Sequence, residues 1–232
     1  MILLLYCETL DISMDTLAKI VSFIFHPLFI IGYVLALVMV INPYLFYIQE
    51  PKVKGLFLIS TFMLTTFFPI LSISMMRALG LIKNFKLEDR RERIGPMIVT
   101  SVFYLWLFLN IKDNPGIPGA FSFFVLGCII GLFLAFFINN FQKISLHGVA
   151  AGGFLMGMLI IGSKFSYGYF LLPIPYIGTY SINIVLLYVV ILMIGGMILS
   201  SRLVLRAHSK HELYGGFFIG AVSQIFGYIL YF

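Results

Sequence analysis

The sequence predicts an all-α fold, a polytopic transmembrane helical bundle of about seven spans that forms a single integral membrane domain over residues 1–232. Hydrophobic residues make up 61% of the chain, charged residues make up 10%, and the mean hydropathy is +1.07. This composition is typical of an integral membrane protein and excludes an ordinary soluble domain. Apolar runs of near-spanning length recur along the chain, so the outer surface of the bundle is expected to face lipid.

The individual spans are assigned from these apolar runs. They cover residues 20–41, 55–76, 96–111, 119–139, 147–162, 181–201 and 213–232. The third and fifth runs are shorter than the ~20 residues that a spanning helix needs, so we expect them to extend into the neighbouring polar loops. Residues 112–118 are rich in turn formers and predict a helical hairpin between the third and fourth runs. Residues 167–180 contain two prolines and four tyrosines and predict an interfacial loop with aromatic side chains at headgroup level.

Glycines and one histidine inside the runs are interpreted as packing features. Three glycine pairs have the GxxxG spacing that is typical of close helix packing in membranes. They are Gly127 and Gly131, Gly153 and Gly157, and Gly216 and Gly220. His26 precedes Pro27 within the first run. A lone histidine in such a position is more often satisfied by a neighbouring helix than catalytic, so His26 is not included in the predicted site.

The junction between the last two runs carries an arginine, a histidine and a carboxylate, namely Arg202, His208 and Glu212. If the last helix begins near residue 208, His208 and Glu212 lie at i and i+4 on one face. The carboxylate can then hold one imidazole N–H and leave the other nitrogen free, as in covalent catalysis. The alternative is a topology anchor, because basic residues often end membrane spans.

Two earlier loops carry related polar residues. Residues 86–96 include Lys86 and Arg93, seven positions apart at the membrane surface. A charged helix cap with internal ion pairs is the alternative interpretation. Residues 143–148 include Ser145 and His147 directly before an apolar run. Ser145 would serve equally well as a helix N-cap that accepts a backbone N–H.

Taken in order, the three segments resemble the signatures of the type 2 phosphatidic acid phosphatase superfamily, which read KxxxxxxRP, PSGH and SRxxxxxHxxxD. The resemblance covers residues 86–220, which carry the phosphatase-like motifs, and it implies a six-helix phosphatase-like core. Three departures are visible. Pro96 comes three residues after Arg93, Ile144 and Leu146 replace the Pro and Gly of the second signature, and Glu212 replaces the usual Asp.

The resemblance implies a role for each matching residue. His208 would be the nucleophile that forms a phosphohistidine, Glu212 would orient it, and His147 would act first as acid and then as base. Phosphate would be bound by four further residues. They are Lys86, Arg93, Arg202 and Ser145. A phosphomonoester carries about two negative charges at neutral pH, which suits such a cationic set. No metal and no cofactor are implied.

The expected function is that of a metal-independent integral membrane phosphatase acting on a lipid phosphate or diphosphate. The substrate would be a phospholipid or an isoprenyl phosphate, and membrane lipids would be the other partners. Lys and Arg exceed Asp and Glu by 15 to 9, an excess attributed to headgroups, topology and phosphate rather than to nucleic acid. Two other classes remain open: a protein of the same fold that binds or moves an anionic lipid without hydrolysis, and a small transporter. The sequence does not predict the oligomeric state.

The three signature loops are expected on one side of the membrane, together with the N-terminus, because two spans separate each loop from the next. Most lysines and arginines fall on that side. The exceptions are Lys52, Lys54, Lys112 and Lys164. The positive-inside rule then predicts a site that faces the cytoplasm. The expected location is the inner (cell) membrane of a bacterium, with multiple spans.

Overall fold

The computed structural model describes residues 14–47, 50–85, 87, 89–174 and 176–232. Within these residues, seven helical segments are long and apolar enough to cross a membrane. They are Met14–Ile41, Pro51–Ala78, Arg91–Ile111, Gly119–Asn139, Leu146–Lys164, Ile184–Val204 and Lys210–Tyr231. The prediction of about seven helices that are long and apolar enough to span a membrane is confirmed. So is the expected extension of the third and fifth spans, which begin at Arg91 and Leu146 in the polar loops.

The chain forms nine α-helices and two strands within the described residues. The helices are α1 (residues 14–24), α2 (Ile30–Ile41), α3 (Pro51–Phe62), α4 (Phe68–Ala78), α5 (Ile94–Ile111), α6 (Gly119–Asn139), α7 (Leu146–Lys164), α8 (Ile184–Val204) and α9 (Lys210–Tyr231). The strands are β1 (Tyr169–Ile174) and β2 (Gly178–Asn183). The helices α5 and α6 form the predicted hairpin, and Gly116 N–H donates to Asn114 Oδ1 at 2.9 Å in the turn.

The segment between α7 and α8 corrects the expected interfacial loop, whereas the rest of the chain agrees with the predicted all-α helical bundle. It is an antiparallel hairpin in which Tyr169 pairs with Asn183. Gly178 takes up φ +133°, which lets the chain reverse where a side chain would be strained. The first residues assigned to the sixth span therefore belong to β2. The helix α8 starts only at Ile184, after Asn183 Oδ1 accepts the Val185 N–H at 2.9 Å.

The first two spans are both interrupted. Pro27 has no N–H to continue a helix, and the chain makes a 3₁₀ turn over Pro27–Phe29 between α1 and α2. In the second span a π-helical segment, Met63–Phe67, separates α3 from α4. Thr66 Oγ1 donates to the Leu28 carbonyl at 2.9 Å, which joins the two irregular segments. Irregular backbone at membrane depth is tolerated when its polar groups are satisfied within the protein in this way.

The helices α7 and α9 pack backbone against backbone. A Cβ at Gly220 would overlap the Val149 carbonyl oxygen, and one at Gly152 would overlap the Phe217 carbonyl oxygen. A Cβ at Gly216 would lie 2.5 Å from the Ser145 carbonyl oxygen. The predicted close packing is thus confirmed for the pair Gly216 and Gly220. It fixes the start of α7 against the start of α9, where the second and third signature segments lie.

Candidate active site

A cavity of about 1110 Å³ lies where the three signature loops meet. One end of it is polar and predominantly cationic. The polar and charged residues that line this end are Asp15, Lys19, Ser22, His26, Arg93, Lys143, His147, Arg202, Arg206 and His208. The structure therefore brings Arg93, His147, Arg202 and His208 together from three separate segments. Lys86 lies outside the described residues.

His208 is held by Glu212 at the start of α9. The helix begins at Lys210 rather than at 208, and the Ser209 hydroxyl caps it by accepting the Glu212 N–H at 3.3 Å. His208 Nδ1 lies 2.7 Å from Glu212 Oε2, and the His208 side chain is only 4% exposed. Because the carboxylate accepts, Nδ1 carries the proton and Nε2 keeps its lone pair. This is the arrangement that an orienting carboxylate and a nucleophilic imidazole require.

The surroundings of His208 also favour its neutral form. Burial is the main cause that lowers the pKa of His208, to about 4, and the charges of Arg93, Arg202 and Lys143 lower it further. The hydrogen bond to Glu212 acts in the opposite direction and raises this pKa. At neutral pH the imidazole is therefore uncharged, which leaves Nε2 available as a nucleophile.

Arg93 connects the first signature segment to the second. Its side chain is buried, and it donates from Nε to the Leu87 carbonyl at 2.8 Å and from Nη1 to the Ile144 carbonyl at 2.9 Å. A guanidinium has five N–H donors in a rigid plane, so these two bonds fix its orientation and leave other donors for a ligand. Arg93 thus fits the phosphate-binding role implied for it.

Arg202 reaches the first span. Its Nη1 donates to Ser22 Oγ at 3.3 Å, and Ser22 Oγ lies 3.1 Å from Ser201 Oγ. The Nε of Arg202 is buried and finds no hydrogen-bond partner among the described residues. A buried cationic N–H without an acceptor is costly. Its presence beside a cavity fits an anionic ligand.

The two predicted residues of the second segment differ in position. His147 lies in the first turn of α7 and lines the cavity, and its Nε2 donates to the Ser22 carbonyl at 3.2 Å. Ser145 is fully buried, and its Oγ accepts the Gly148 N–H at 3.3 Å as the N-cap of α7. Ser145 is not among the described residues that line the cavity. The N-cap alternative therefore describes its geometry, whereas phosphate binding by Ser145 has no geometric support.

The polar residues of the cavity wall that the predicted site did not include are Asp15, Lys19, Ser22, His26, Lys143 and Arg206 at its polar end. His26 comes from the interruption of the first span, and its ring centroid lies 5.4 Å from that of His147. Lys143 Nζ donates to the Ala207 carbonyl at 3.3 Å, across from the second loop to the third. The His26–Pro27 pair was visible in the sequence as a break in an apolar run. No pattern along the chain predicts that His26 lies close to His147.

Comparison with protein-family models, with curated proteins and with solved structures gives no match for this chain. Within the described residues, no group of three or more His, Cys, Asp and Glu side chains is arranged to hold a metal ion.

Proposed function

We propose that this chain is an integral membrane phosphatase that hydrolyses a lipid phosphate or diphosphate through a phosphohistidine at His208. One observation carries the proposal, namely the 2.7 Å contact between Glu212 and His208, the latter lining a cavity together with Arg93 and Arg202. This combination supplies a neutral nucleophile, a carboxylate that orients it, and cationic donors for the transferred phosphoryl group. The type 2 phosphatidic acid phosphatase-like core remains part of this proposal.

In the first step, the His208 Nε2 lone pair attacks phosphorus while the bond from phosphorus to the leaving oxygen breaks. Protonated His147 gives its proton to the leaving oxygen, so the product is an alcohol or a phosphate. Positive charge then develops on the His208 ring, and Glu212 stabilises it through the Nδ1–H bond. Arg93 and Arg202 hold the equatorial phosphoryl oxygens, where donors in a low-dielectric site have their largest effect.

In the second step, a water oxygen attacks the phosphohistidine phosphorus and the N–P bond breaks. Neutral His147 takes the proton from this water, which restores its acid form for the next cycle. The His208 ring recovers its Nε2 lone pair, and inorganic phosphate leaves. The cationic charge in this scheme comes from side chains of the chain itself, with Lys143 as an additional group at the cavity wall.

The remainder of the cavity supports a lipid substrate. Beyond the polar end, the cavity continues between the spans along mainly apolar and small residues. Among these residues are Phe29, Ile30, Met97, Leu132, Gly153 and Gln224. On α9, Gly220 and Gln224 line this part of the cavity. An apolar extension of this kind accommodates a lipid chain, whereas a soluble phosphate ester would leave it unfilled.

A second candidate function is binding or movement of an anionic lipid without hydrolysis. Two observations favour it: His147 Nε2 is engaged with the Ser22 carbonyl, and Ser145 Oγ is engaged with the Gly148 N–H. The experiment that separates the candidates is phosphate release by the purified protein in detergent, from phosphatidic acid, phosphatidylglycerol phosphate and isoprenyl diphosphates. Hydrolysis predicts release that is lost in His208→Ala and kept in His211→Ala. Tight lipid-phosphate binding without release would favour the second candidate.

We also propose that the site faces the cytoplasm of a bacterial cell, on the distribution of lysines and arginines. Single cysteines at Ser209 and at Lys112, in a background without Cys7 and Cys128, probe the two sides. In intact cells, the cysteine at 112 should react with a membrane-impermeant maleimide, and the cysteine at 209 should react only after lysis. The reverse pattern would place the site on the outer face and leave the chemistry unaffected.

A further inference from the structure

The last turn of α1, just before the interruption of the first span, presents two polar groups of Ser22 to the candidate site. The Ser22 carbonyl accepts from His147 Nε2, and the Ser22 hydroxyl accepts from Arg202. Four residues later, His26 lines the same cavity, and its ring meets that of His147 nearly edge-on, at 87°. The first span therefore lines the same cavity as the three signature segments.

The hydrogen bonding of His26 fixes which nitrogen can donate. The Leu28 N–H donates to His26 Nδ1 at 3.4 Å and caps the 3₁₀ turn over Pro27–Phe29. Because Nδ1 accepts, the neutral ring carries its proton on Nε2. Among the described residues, no acceptor for this Nε2–H is found. A half-buried N–H donor is thus available at the wall of a cavity that holds two arginines.

We propose that His26 binds the phosphate group of the substrate by donating a hydrogen bond from Nε2. The inference rests on the proposed function only in taking a phosphate group as the ligand. A neutral donor adds a hydrogen bond to the oxyanion. It adds no further positive charge, which the neighbouring Arg93 and Arg202 would repel. The interrupted first span then forms a fourth segment of the anion site, in addition to the three signature segments.

The backbone around His26 is suited to holding the ring in place. The Thr66 Oγ1 bond to the Leu28 carbonyl, at 2.9 Å, ties the 3₁₀ turn to the π-helical segment of the second span. π-Helical segments inside α-helices are frequent at functional sites. Here the π-helical segment supplies the Thr66 hydroxyl that donates to the Leu28 carbonyl. The π-helical segment and the 3₁₀ turn therefore both help to fix the position of the His26 imidazole.

Two kinds of substitution separate the donor from the cap. His26→Asn and His26→Asp keep an acceptor close to the Nδ1 position, so they keep the cap on Leu28 but remove the Nε2 donor. His26→Gln places an amide N–H near the Nε2 position. His211→Asn is the matched control, because His211 lies outside the main cavity. Binding of inorganic phosphate and of vanadate to the purified full chain in detergent is measured by calorimetry, with folding checked by thermal melting.

The expected result is a 10- to 100-fold weaker binding of both anions in His26→Asn, the usual effect of losing a hydrogen bond to a charged group. His26→Asp should weaken binding further, whereas His26→Gln and His211→Asn should bind within about threefold of wild type. Equal binding by wild type and His26→Asn would overturn the inference, as would equal loss in the Asn and Gln variants. If only one of His26→Asn and His26→Asp folds, that variant alone is compared with wild type. If the wild-type protein binds neither anion, both the anion site and the inference are contradicted. If the protein has no phosphatase activity but anion binding is weaker in His26→Asn and not in His26→Gln, the inference is supported and only hydrolysis is contradicted.

Discussion

The helix pair α7 and α9 and the first two spans surround the same cavity but are built in opposite ways. The pair α7 and α9 is regular and packs through glycines so closely that a Cβ at Gly152 or Gly220 has no room. The first two spans are each interrupted, by a 3₁₀ turn and by a π-helical segment. Regular, close-packed helices hold His147 and Glu212 in a fixed relation, whereas Ser22 and His26 of the interrupted first span contact His147.

This contrast separates two kinds of information in the sequence. Residues on the rigid pair lie in motifs whose spacing along the chain predicts their chemistry. Residues on the interrupted spans belong to the site because of tertiary contacts, such as that of Ser22 with His147, which no local sequence pattern predicts.

Filling the glycine contact should have the largest effect. Gly152→Val places side-chain atoms on the Phe217 backbone, which cannot give way without separating α7 from α9. We expect loss of folded protein, or destabilisation beyond ~4 kcal/mol, measured as the monodisperse yield and the melting temperature in detergent. Gly196→Ala is the control, because a Cβ there meets nothing within 4 Å. A Gly152→Val variant as stable as this control would disprove the close packing.

Removing His147, in the first turn of α7, and His208, two residues before α9, should affect activity unequally. His208→Ala should abolish phosphate release, because no nucleophile remains. His147→Ala should lower kcat by about 10² to 10⁴-fold, the usual contribution of a general acid. Steady-state kinetics on the best lipid phosphate measure both. Equal and small losses in the two variants would contradict these roles.

Arg202 should tolerate lysine poorly, because a point charge cannot replace a planar set of donors. We expect Arg202→Lys to lower kcat/KM by about 10²-fold, which is ~2.7 kcal/mol of lost transition-state stabilisation. Arg206 is the matched comparison, since it is exposed at the edge of the same cavity. Arg206→Lys should stay within about threefold of wild type. A similar loss at both positions would indicate a general charge effect.

The pH dependence should reflect the lowered pKa of His208. Protonation removes the nucleophile, so activity is retained as pH falls through 6.5 and is lost only near pH 4. Because the charge of Lys143 contributes to the lowering, Lys143→Gln should move this acid limb to higher pH. The measurement is kcat/KM against pH for both proteins, with the same substrate so that ionisation of its phosphate cancels. An unchanged limb in Lys143→Gln would show that the charge of Lys143 does not lower this pKa.

The smallest effect is expected at the junction of the interrupted spans. Thr66→Val removes the donor to the Leu28 carbonyl and should cost about 1–2 kcal/mol of stability. Thr61→Val is the matched control, because Thr61 Oγ1 is buried without a partner among the described residues. That variant should be neutral or slightly stabilising. Chemical denaturation in detergent measures the free energy of unfolding of both variants. Equal changes in Thr66→Val and Thr61→Val would show that the Thr66 hydrogen bond does not stabilise the junction.

Much of the fold could be predicted because membrane spans depend on the length and polarity of a run. The β-hairpin could not be predicted, because a run of tyrosines and prolines is equally typical of an interfacial loop and of an edge strand. The pairing of Tyr169 with Asn183 shows that the segment forms a hairpin. Ser145 shows the same ambiguity within the site. A serine before a helix satisfies a backbone N–H or a ligand, and here its hydroxyl is turned to Gly148.

His26 shows the opposite difficulty. Its residue type and the following proline were visible, but a histidine inside an apolar run is usually a packing residue. Only the position of the 3₁₀ turn relative to α7 brings its ring to 5.4 Å from that of His147. Lys143 is similar, because its place in the cavity wall depends on the contact of its loop with Ala207.

The most direct test of the proposed chemistry is capture of the intermediate on His208. The purified protein is mixed briefly with a lipid substrate labelled with ³²P, quenched in alkali with detergent, and digested for mass spectrometry. We predict acid-labile, alkali-stable label on the peptide that contains His208, increased in His147→Ala because water is no longer activated, and absent from His208→Ala. Turnover of the same substrate without label on His208 in wild type and in His147→Ala would contradict the phosphohistidine mechanism.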